Sequence, residues 1–333
     1  MLKPVTLEKL QNKKNLLAFS AGVDSTTLLF LLLENGISFD IAIIDYGVRE
    51  QSKEEVAYAH ELAEKYSFTC HTFQAQKIQK NFEAHAREIR YNFFDTLIQK
   101  YHYQNLLTAH HLGDRFEWML MQFCKGAGCA ELAGMQEFEE RTHYTLVRPL
   151  LHHDKQEFFA YLETHERKYF LDASNGDETI KRNYFRHNYT NPLMKEHLEG
   201  IKKSFVYLDA DFNALIKTTK IKKLGALVYF ETNGDKRSDI YAIDKYLKTQ
   251  GYMASANERS LLREKETLVL GRKFLVSRCQ KFIFITLFQH TQIVLPKEFK
   301  ESCRKLKLEP KLRPFLYENA AVFERIKELL FTL

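Results

Sequence analysis

Seven consecutive residues, Ser20-Ala21-Gly22-Val23-Asp24-Ser25-Thr26, have the composition of an anion cradle. Small residues let a backbone turn tightly and bring its N–H groups against a ligand. The apolar run that follows, TTLLFLLLE, reads as a helix whose first turn presents unpaired N–H donors and a positive dipole end. Ser20, Ser25 and Thr26 add hydroxyl donors, so the stretch can hold phosphate. Asp24 would repel a bare phosphate. With Mg²⁺ bridging it to phosphate oxygens, the same residue becomes a metal ligand. The lysine of the G-x-x-x-x-G-K-[ST] loop is absent, so this is a different kind of phosphate loop.

A second constellation is His110, His111, Asp114 and Glu117. Asp114 and Glu117 stand three apart at the start of an expected helix with a buried face of Phe116, Met119, Leu120 and Phe123. The two carboxylates are therefore expected to point together, away from that stripe. Such a pair can hold Mg²⁺ or recognise an amine. Adjacent histidines do not share a helix face, which argues against a transition-metal pair. Arginines are also paired: Arg87 with Arg90, three apart, and Arg182 with Arg186, four apart. Each pair shares a helix face; Arg87 and Arg90 suit phosphate or carboxylate, or plain surface salt bridging, and Arg182 and Arg186 suit phosphate.

Short apolar runs at 15–19, 40–44, 68–73 and 105–109 read as strands. Helical periods at 52–66, 82–100 and 154–165 lie among them. The first opens on Ser52 and Glu55 and the last on Asp154 and Glu157, both with capping-box spacing. Strands alternating with helices predict an α/β fold with a parallel sheet and helices on both faces. Such sheets bind ligands beyond the strands' carboxyl ends, and the motifs above follow strands in that way. After about residue 190 the pattern changes. Residues 198–221 look helical and Lys-rich, and 225–290 mix helices with β-branched and aromatic runs.

The 333 residues allow about two domains, expected at 1–200 and 201–333. Charge divides unevenly between them. There are 26 Lys and Arg against 15 Asp and Glu after residue 200 (+11), and 23 against 28 before it (−5). A basic second part beside an acidic first part fits a polyanion partner for the former. No apolar run is long enough to span a bilayer, and the first residues do not read as a signal peptide, so no membrane and a cytoplasmic location are expected. Five scattered cysteines without a C-x-x-C pair predict reduced, buried thiols.

Ser20–Ser25 resembles the S-G-G-x-D-S loop of the PP-loop ATP pyrophosphatases, with Ala21 in place of a glycine. The added methyl is tolerable if φ there stays below zero. Further blocks resemble the tRNA(Ile)-lysidine synthetases. Ile44-Asp45-Tyr46-Gly47-Val48-Arg49 is similar to V-D-H-G-L-R, with Tyr46 for His. Asn81 through Tyr91 is similar to N-x-E-x-x-A-R-x-x-R-Y, and Ala109 through Glu117 to A-H-H-x-x-D-x-x-E, with Gly113 where a second Asp is frequent. Lys125-Gly126-Ala127-Gly128 through Met135 resembles R-G-x-G-x-x-G-L-x-x-M, with Lys125 for Arg and Glu131 for Gly. Arg148-Pro149-Leu150-Leu151, then Asp172 through Asp177 with Asn175, then Arg182-Asn183 and Arg186, resemble the R-P-L-L and E-D-x-S-N-x-D…R-N-x-x-R blocks, with Leu171 for Glu.

The resemblance implies a PP-loop ATP-binding catalytic domain followed by a smaller, mainly helical or mixed, basic domain that binds tRNA. It implies that ATP, with Mg²⁺ on Asp24, activates the wobble cytidine of an isoleucine tRNA as an adenylate, and that free L-lysine then displaces AMP. Ser20, Ala21, Gly22, Val23, Asp24, Ser25 and Asp45 would bind the nucleotide. Asp114 and Glu117 would bind the lysine amine or Mg²⁺. Arg87, Arg90, His110, His111, Lys125, Arg148, Asn175, Arg182 and Arg186 would contact substrate or tRNA. The chain would act as a monomer or homodimer. A PP-loop tRNA thiolase and a non-catalytic tRNA-binding relative are the alternatives. The thiolase would need paired cysteines whose spacing is missing here.

Overall fold

A computed structural model describes residues 1–47, 51–76, 78, 82–171, 179–289 and 293–331. They form two compact units, Met1–Ala210 and Asp211–Leu333. The division falls ten residues beyond the expected boundary at 200.

The first unit alternates α1 (Pro4–Leu10), β1 (Asn15–Ala18), α2 (Val23–Glu34), β2 (Phe39–Asp45), α3 (Gln51–Tyr66), β3 (Cys70–Gln74), α4 (Phe82–Tyr101) and β4 (Asn105–Leu107). It continues with α5 (Leu112–Phe123), α6 (Cys129–Ala133), β5 (Phe138–Glu140), β6 (Thr145–Val147), α7 (Lys155–Thr164) and α8 (Lys181–Phe185). A π turn, Arg186–Thr190, then leads into α9 (Asn191–Leu215), which is broken at His197. The sheet order is β3-β2-β1-β4-β6-β5, parallel except for the β5–β6 hairpin. Both faces are covered, as a parallel sheet requires. Leu17, Ile41, Ile43, Leu107 and Val147 pack with Leu28, Leu32, Leu62 and Phe158 from α2, α3 and α7. Their neighbours Leu16, Ala42, Leu106 and Leu146 pack with Phe94, Leu97 and Ile98 from α4. This two-residue alternation sends successive side chains to opposite layers.

Several expectations need correction. Ser52 lies inside α3. The third strand starts at Cys70, two residues beyond Phe68. Phe123 is not on a buried stripe but is strongly exposed, because α5 runs past the end of its partner surface. That surface is built by Met194, Ile201 and Phe205 of α9 against Leu112 and Phe116. Of the five free cysteines, only Cys279 and Cys303 are buried, and Cys124 is exposed. The Asp154/Glu157 capping box does form, at the start of α7.

The second unit contains an antiparallel sheet of β7 (Lys222–Leu224), β8 (Leu227–Glu231), β9 (Thr267–Leu270), β10 (Phe274–Cys279) and β11 (Phe282–Leu287), in the order β7-β8-β11-β10-β9. Val228, Phe230, Val276, Ile283 and Ile285 face α10 (Lys236–Thr249) and α11 (Ala256–Glu264). Leu227, Leu275, Phe282 and Phe284 face α12 (Lys297–Lys305), α13 (Arg313–Glu318) and α14 (Ala320–Phe331). Among the described residues, no helix is long and apolar enough to cross a membrane.

Candidate active site

The sheet order places the site. From β1 the chain builds outward through β2 and β3 on one side, then returns to add β4 and β6 on the other. The loops leaving β1 and β4 therefore diverge, which opens a crevice at the carboxyl ends where such sheets take ligands. The first of these loops is Phe19–Gly22 and the second Thr108–His111, so the two constellations read from the sequence flank the same switch point.

The β1 loop is braced from within. Ser25 Oγ accepts from the Ser20 N–H (3.2 Å) and lies 3.1 Å from Ser20 Oγ. The Phe170 N–H donates to the Ala21 carbonyl (2.9 Å), so the segment after α7 buttresses the turn. Gly22 is the N-cap of α2 and no side chain caps that helix. The first-turn amides thus keep the unpaired donors of a helix start, as an anion site requires. A Cβ on Gly22 would meet protein atoms only at ordinary contact distances, 3.5 Å from Ser20 Oγ and 3.9 Å from the Phe170 carbonyl. The condition set for Ala21 fails: its φ is +56°. It occupies the left-handed region that costs an L-residue about 1–2 kcal/mol, and this strain sits at the centre of the loop.

Asp24 Oδ1 is buried without a hydrogen-bond partner, while Oδ2 lies 3.5 Å from Lys155 Nζ. An unpartnered buried carboxylate oxygen beside an anion cradle fits a hard cation shared with phosphate oxygens. Among the described residues no group of three or more His, Cys, Asp or Glu could hold a metal ion. From this chain, Asp24 could offer Mg²⁺ a single carboxylate. Lys155, the first residue of α7, was missed by sequence reading. Its signal was its place beside the capping residue Asp154.

At the β4 end, His111 caps α5. Its Nδ1 accepts from the Gly113 N–H (3.0 Å), and Asp114 Oδ2 accepts from the His111 N–H (3.2 Å). A Cβ at position 113 would lie 2.8 Å from the His111 ring, so a glycine there goes with this cap. Asp114 and Glu117 do point together, onto the same two arginines, and the Glu117 side chain is buried. Arg182 Nε and Arg186 Nε donate to the two Glu117 oxygens, the latter at 2.9 Å. The Nη2 groups of Arg182 and Arg186 reach Asp114 Oδ1 at 3.0 and 3.4 Å. Arginines read as phosphate or RNA ligands are thus paired with carboxylates read as amine ligands. Burial alone would raise the Asp114 carboxyl. His111, Arg182, His110 and Arg186 outweigh it and hold the group well below the usual carboxylate range. Burial, together with Arg148, Arg182 and Arg87, pushes His110 down to about 3 against the pull of Asp114. His110 is therefore neutral near pH 7, with Nδ1 2.9 Å from Thr108 Oγ1.

The remaining candidates are distributed. At the end of β2, Asp45 accepts from the Gly47 N–H (2.8 Å). Tyr46 donates to the Ala86 carbonyl (3.1 Å) and accepts from Arg90 (3.3 Å), which ties β2 to α4. Arg87 is exposed and stacks on Tyr91, 4.9 Å from its ring centroid. Lys125 is exposed beyond α5. Arg148 is buried and donates to the Gln136 carbonyl (2.7 Å) and Glu139 (3.0 Å), which braces the β5–β6 hairpin. Asn175, with the rest of Asp172–Asp177, lies outside the described residues, as does Arg49. Sequence reading also missed Arg115. Fully buried, it bonds both oxygens of Asp209 and the Ala133 carbonyl and lies over the Phe205 ring, 4.4 Å away. A charge between Leu112 and Met119 on the apolar stripe of α5 was the available signal.

Strand order, uncapped phosphate loop and switch-point crevice define a nucleotide-binding α/β domain. The PP-loop domain family matches residues 2–193. A tRNA(Ile)-lysidine synthase of Helicobacter pylori is 39% identical over 312 residues, covering 93% of this chain and 91% of the relative. One from Campylobacter jejuni is 40% identical over 318 residues, covering 96% and 97%. Among solved structures, the U34-tRNA thiolase NcsA of Methanococcus maripaludis, with its 4Fe-4S cluster, is similar at a TM-score of 0.51, covering 65% of this chain and 77% of that one. At 19% identity this is a likeness of fold. The chain belongs to the PP-loop family and, within it, to the tRNA(Ile)-lysidine synthases.

Proposed function

We propose that the protein is an ATP-dependent ligase that joins L-lysine to the wobble cytidine of an isoleucine tRNA, in the cytoplasm. The observation that carries this reading is the pairing, at one switch point, of an uncapped anion loop with an unpartnered Asp24 oxygen and a cluster of two carboxylates and two arginines.

The 2-oxo group of cytidine is a poor leaving group. Its oxygen attacks the α-phosphorus of ATP, the α–β phosphoanhydride bond breaks, and pyrophosphate leaves. The loop amides and hydroxyls of Ser20–Ser25 hold the departing pyrophosphate, and Lys155 supplies a positive charge beside Asp24. Mg²⁺ bound at Asp24 would lower the charge on the phosphates. The lysine ε-ammonium releases one proton to solvent; the neutral amine then attacks C2, the C2–O bond breaks, and AMP departs. Asp114, with its depressed pKa, is a poor base and a good electrostatic anchor. With Glu117 it orients the lysine ammonium before deprotonation. Because Arg182 and Arg186 neutralise both carboxylates in the structure, ammonium binding there exchanges one cation for another and turns the arginines toward phosphate or RNA. The basic second unit would grip the tRNA backbone, with affinity that falls as salt rises.

The test is incorporation of labelled lysine into tRNA. Label should enter only with ATP present and should be lost in Asp24→Ala. Absence of label with every isoleucine tRNA sinks the proposal.

A further inference from the structure

Besides its arginine face, the segment around the π turn has a second face that the chemistry above leaves unused. Lys181, Tyr184, Phe185, Asn188 and Tyr189 follow one another along it, and Tyr184 and Tyr189 are 42% and 45% exposed. Apolar rings on the solvent side of a helix call for an explanation when they cluster. Here the cluster comes from the backbone. Residues five apart diverge on an α-helix, but the wider π turn brings Tyr184 and Tyr189 to a centroid separation of 5.9 Å. The Phe185 ring lies 5.3 Å from Tyr189, and Lys181 Nζ is 6.0 Å from Phe185. The same short segment therefore presents Arg182 and Arg186 to Asp114 and Glu117 on one side and three rings with a cation on the other.

We infer that Tyr184, Phe185 and Tyr189 form a stacking platform for unpaired RNA bases next to the one being modified. The inference rests on the proposed reaction, because it takes its partner from there. A base must leave its stack to react, and its neighbours in a single-stranded loop then expose faces that need a new partner. Aromatic rings beside cations suit such bases without regard to sequence. Continuity with the carboxylate–arginine cluster puts the platform one helix face from the site of chemistry.

The probe is an anticodon stem-loop RNA with 2-aminopurine beside the wobble cytidine. Stacking on wild-type protein should quench its fluorescence. Replacing Tyr184 and Tyr189 together by alanine should abolish the quenching and weaken RNA binding by about 5- to 160-fold, as expected for loss of one stacked base. The slope of affinity against salt should not change, because no charge is removed. ATP affinity should also be unchanged. Replacing both by phenylalanine should keep binding, since the ring face suffices. If the alanine pair fails to fold, Tyr189→Ser alone carries the test. RNA binding that stays at the wild-type level overturns the platform, as does a loss confined to self-association. If wild-type protein transfers no lysine to any tRNA yet quenching still depends on the tyrosines, the reaction fails and the platform stands. If lysine transfer occurs and the alanine pair binds RNA normally, the platform alone fails.

Discussion

Replacing Glu117 by glutamine should loosen the whole carboxylate–arginine cluster. The Glu117 side chain is 1% exposed and both its oxygens accept from arginine Nε groups. Glutamine keeps one acceptor and turns an NH2 donor toward a guanidinium, so one interaction is lost and another becomes a donor–donor contact. Removing one partner of a buried ion pair costs about 3–5 kcal/mol. Arg182 and Arg186 are 39% and 25% exposed, so water recovers part of this, leaving about 2–3 kcal/mol. For a unit of this size each kcal/mol moves Tm by about 2–4 °C, so a fall of about 4–12 °C is expected. Thermal unfolding followed by circular dichroism reads it. A cycle with Arg186→Gln should show the double variant losing about 1–2 kcal/mol less than the sum of the singles, because the groups are coupled. If Glu117→Gln abolishes lysine transfer while Tm stays within about 1 °C, the carboxylate serves chemistry alone and the structural argument is refuted.

Ala21→Gly should stabilise. Relief of about 1–2 kcal/mol at φ +56°, less about 0.4–1 kcal/mol for glycine's freer unfolded chain, leaves about 0.5–1 kcal/mol and a Tm rise of about 1–4 °C; a fall contradicts the strain assignment. Lys155→Met removes the charge 3.5 Å from Asp24, so KM for ATP should rise several-fold while Tm hardly moves, because the pair is partly exposed. Stability should fall with acid in two windows. His110 is pushed down to about 3, so its contribution is complete above the ordinary histidine pKa of 6.5 and is lost as pH falls from there towards 3. Burial would raise Glu137, but hydrogen bonds from His152, Lys3 and Thr6 pull it down to about 2, so its contribution is present above 4.5 and lost towards 2. Urea unfolding across pH should flatten in the upper window for His110→Gln and in the lower for Glu137→Gln.

Local signals carried much of the first unit. The β1 loop, the carboxylate pair and the arginine pairs stood out because each depends on spacing within one turn or one helix face. What spacing cannot carry is who meets whom across the chain. The Arg182–Glu117 contact spans 65 residues and Arg115–Asp209 spans 94, and neither has a local trace beyond a charge in an apolar stripe. The bonds that tie Arg148 to Gln136 and Glu139 of the hairpin segment likewise left no trace in the R-P-L-L block. Phe123 was misread because periodicity shows which residues share a face, not where the partner surface ends. In the second unit β-branched and aromatic runs such as LVLGRKFLVS and KFIFITLF stood out, while the strands they contain and their antiparallel order did not.

Product analysis with radiolabelled ATP, tRNA and lysine reads the bond that the enzyme breaks. Cleavage between the α and β phosphates predicts AMP and pyrophosphate in equal amounts, one of each for every lysine joined to tRNA, and neither from Asp24→Ala. Release of ADP and orthophosphate, or lysine attachment without pyrophosphate, would contradict it.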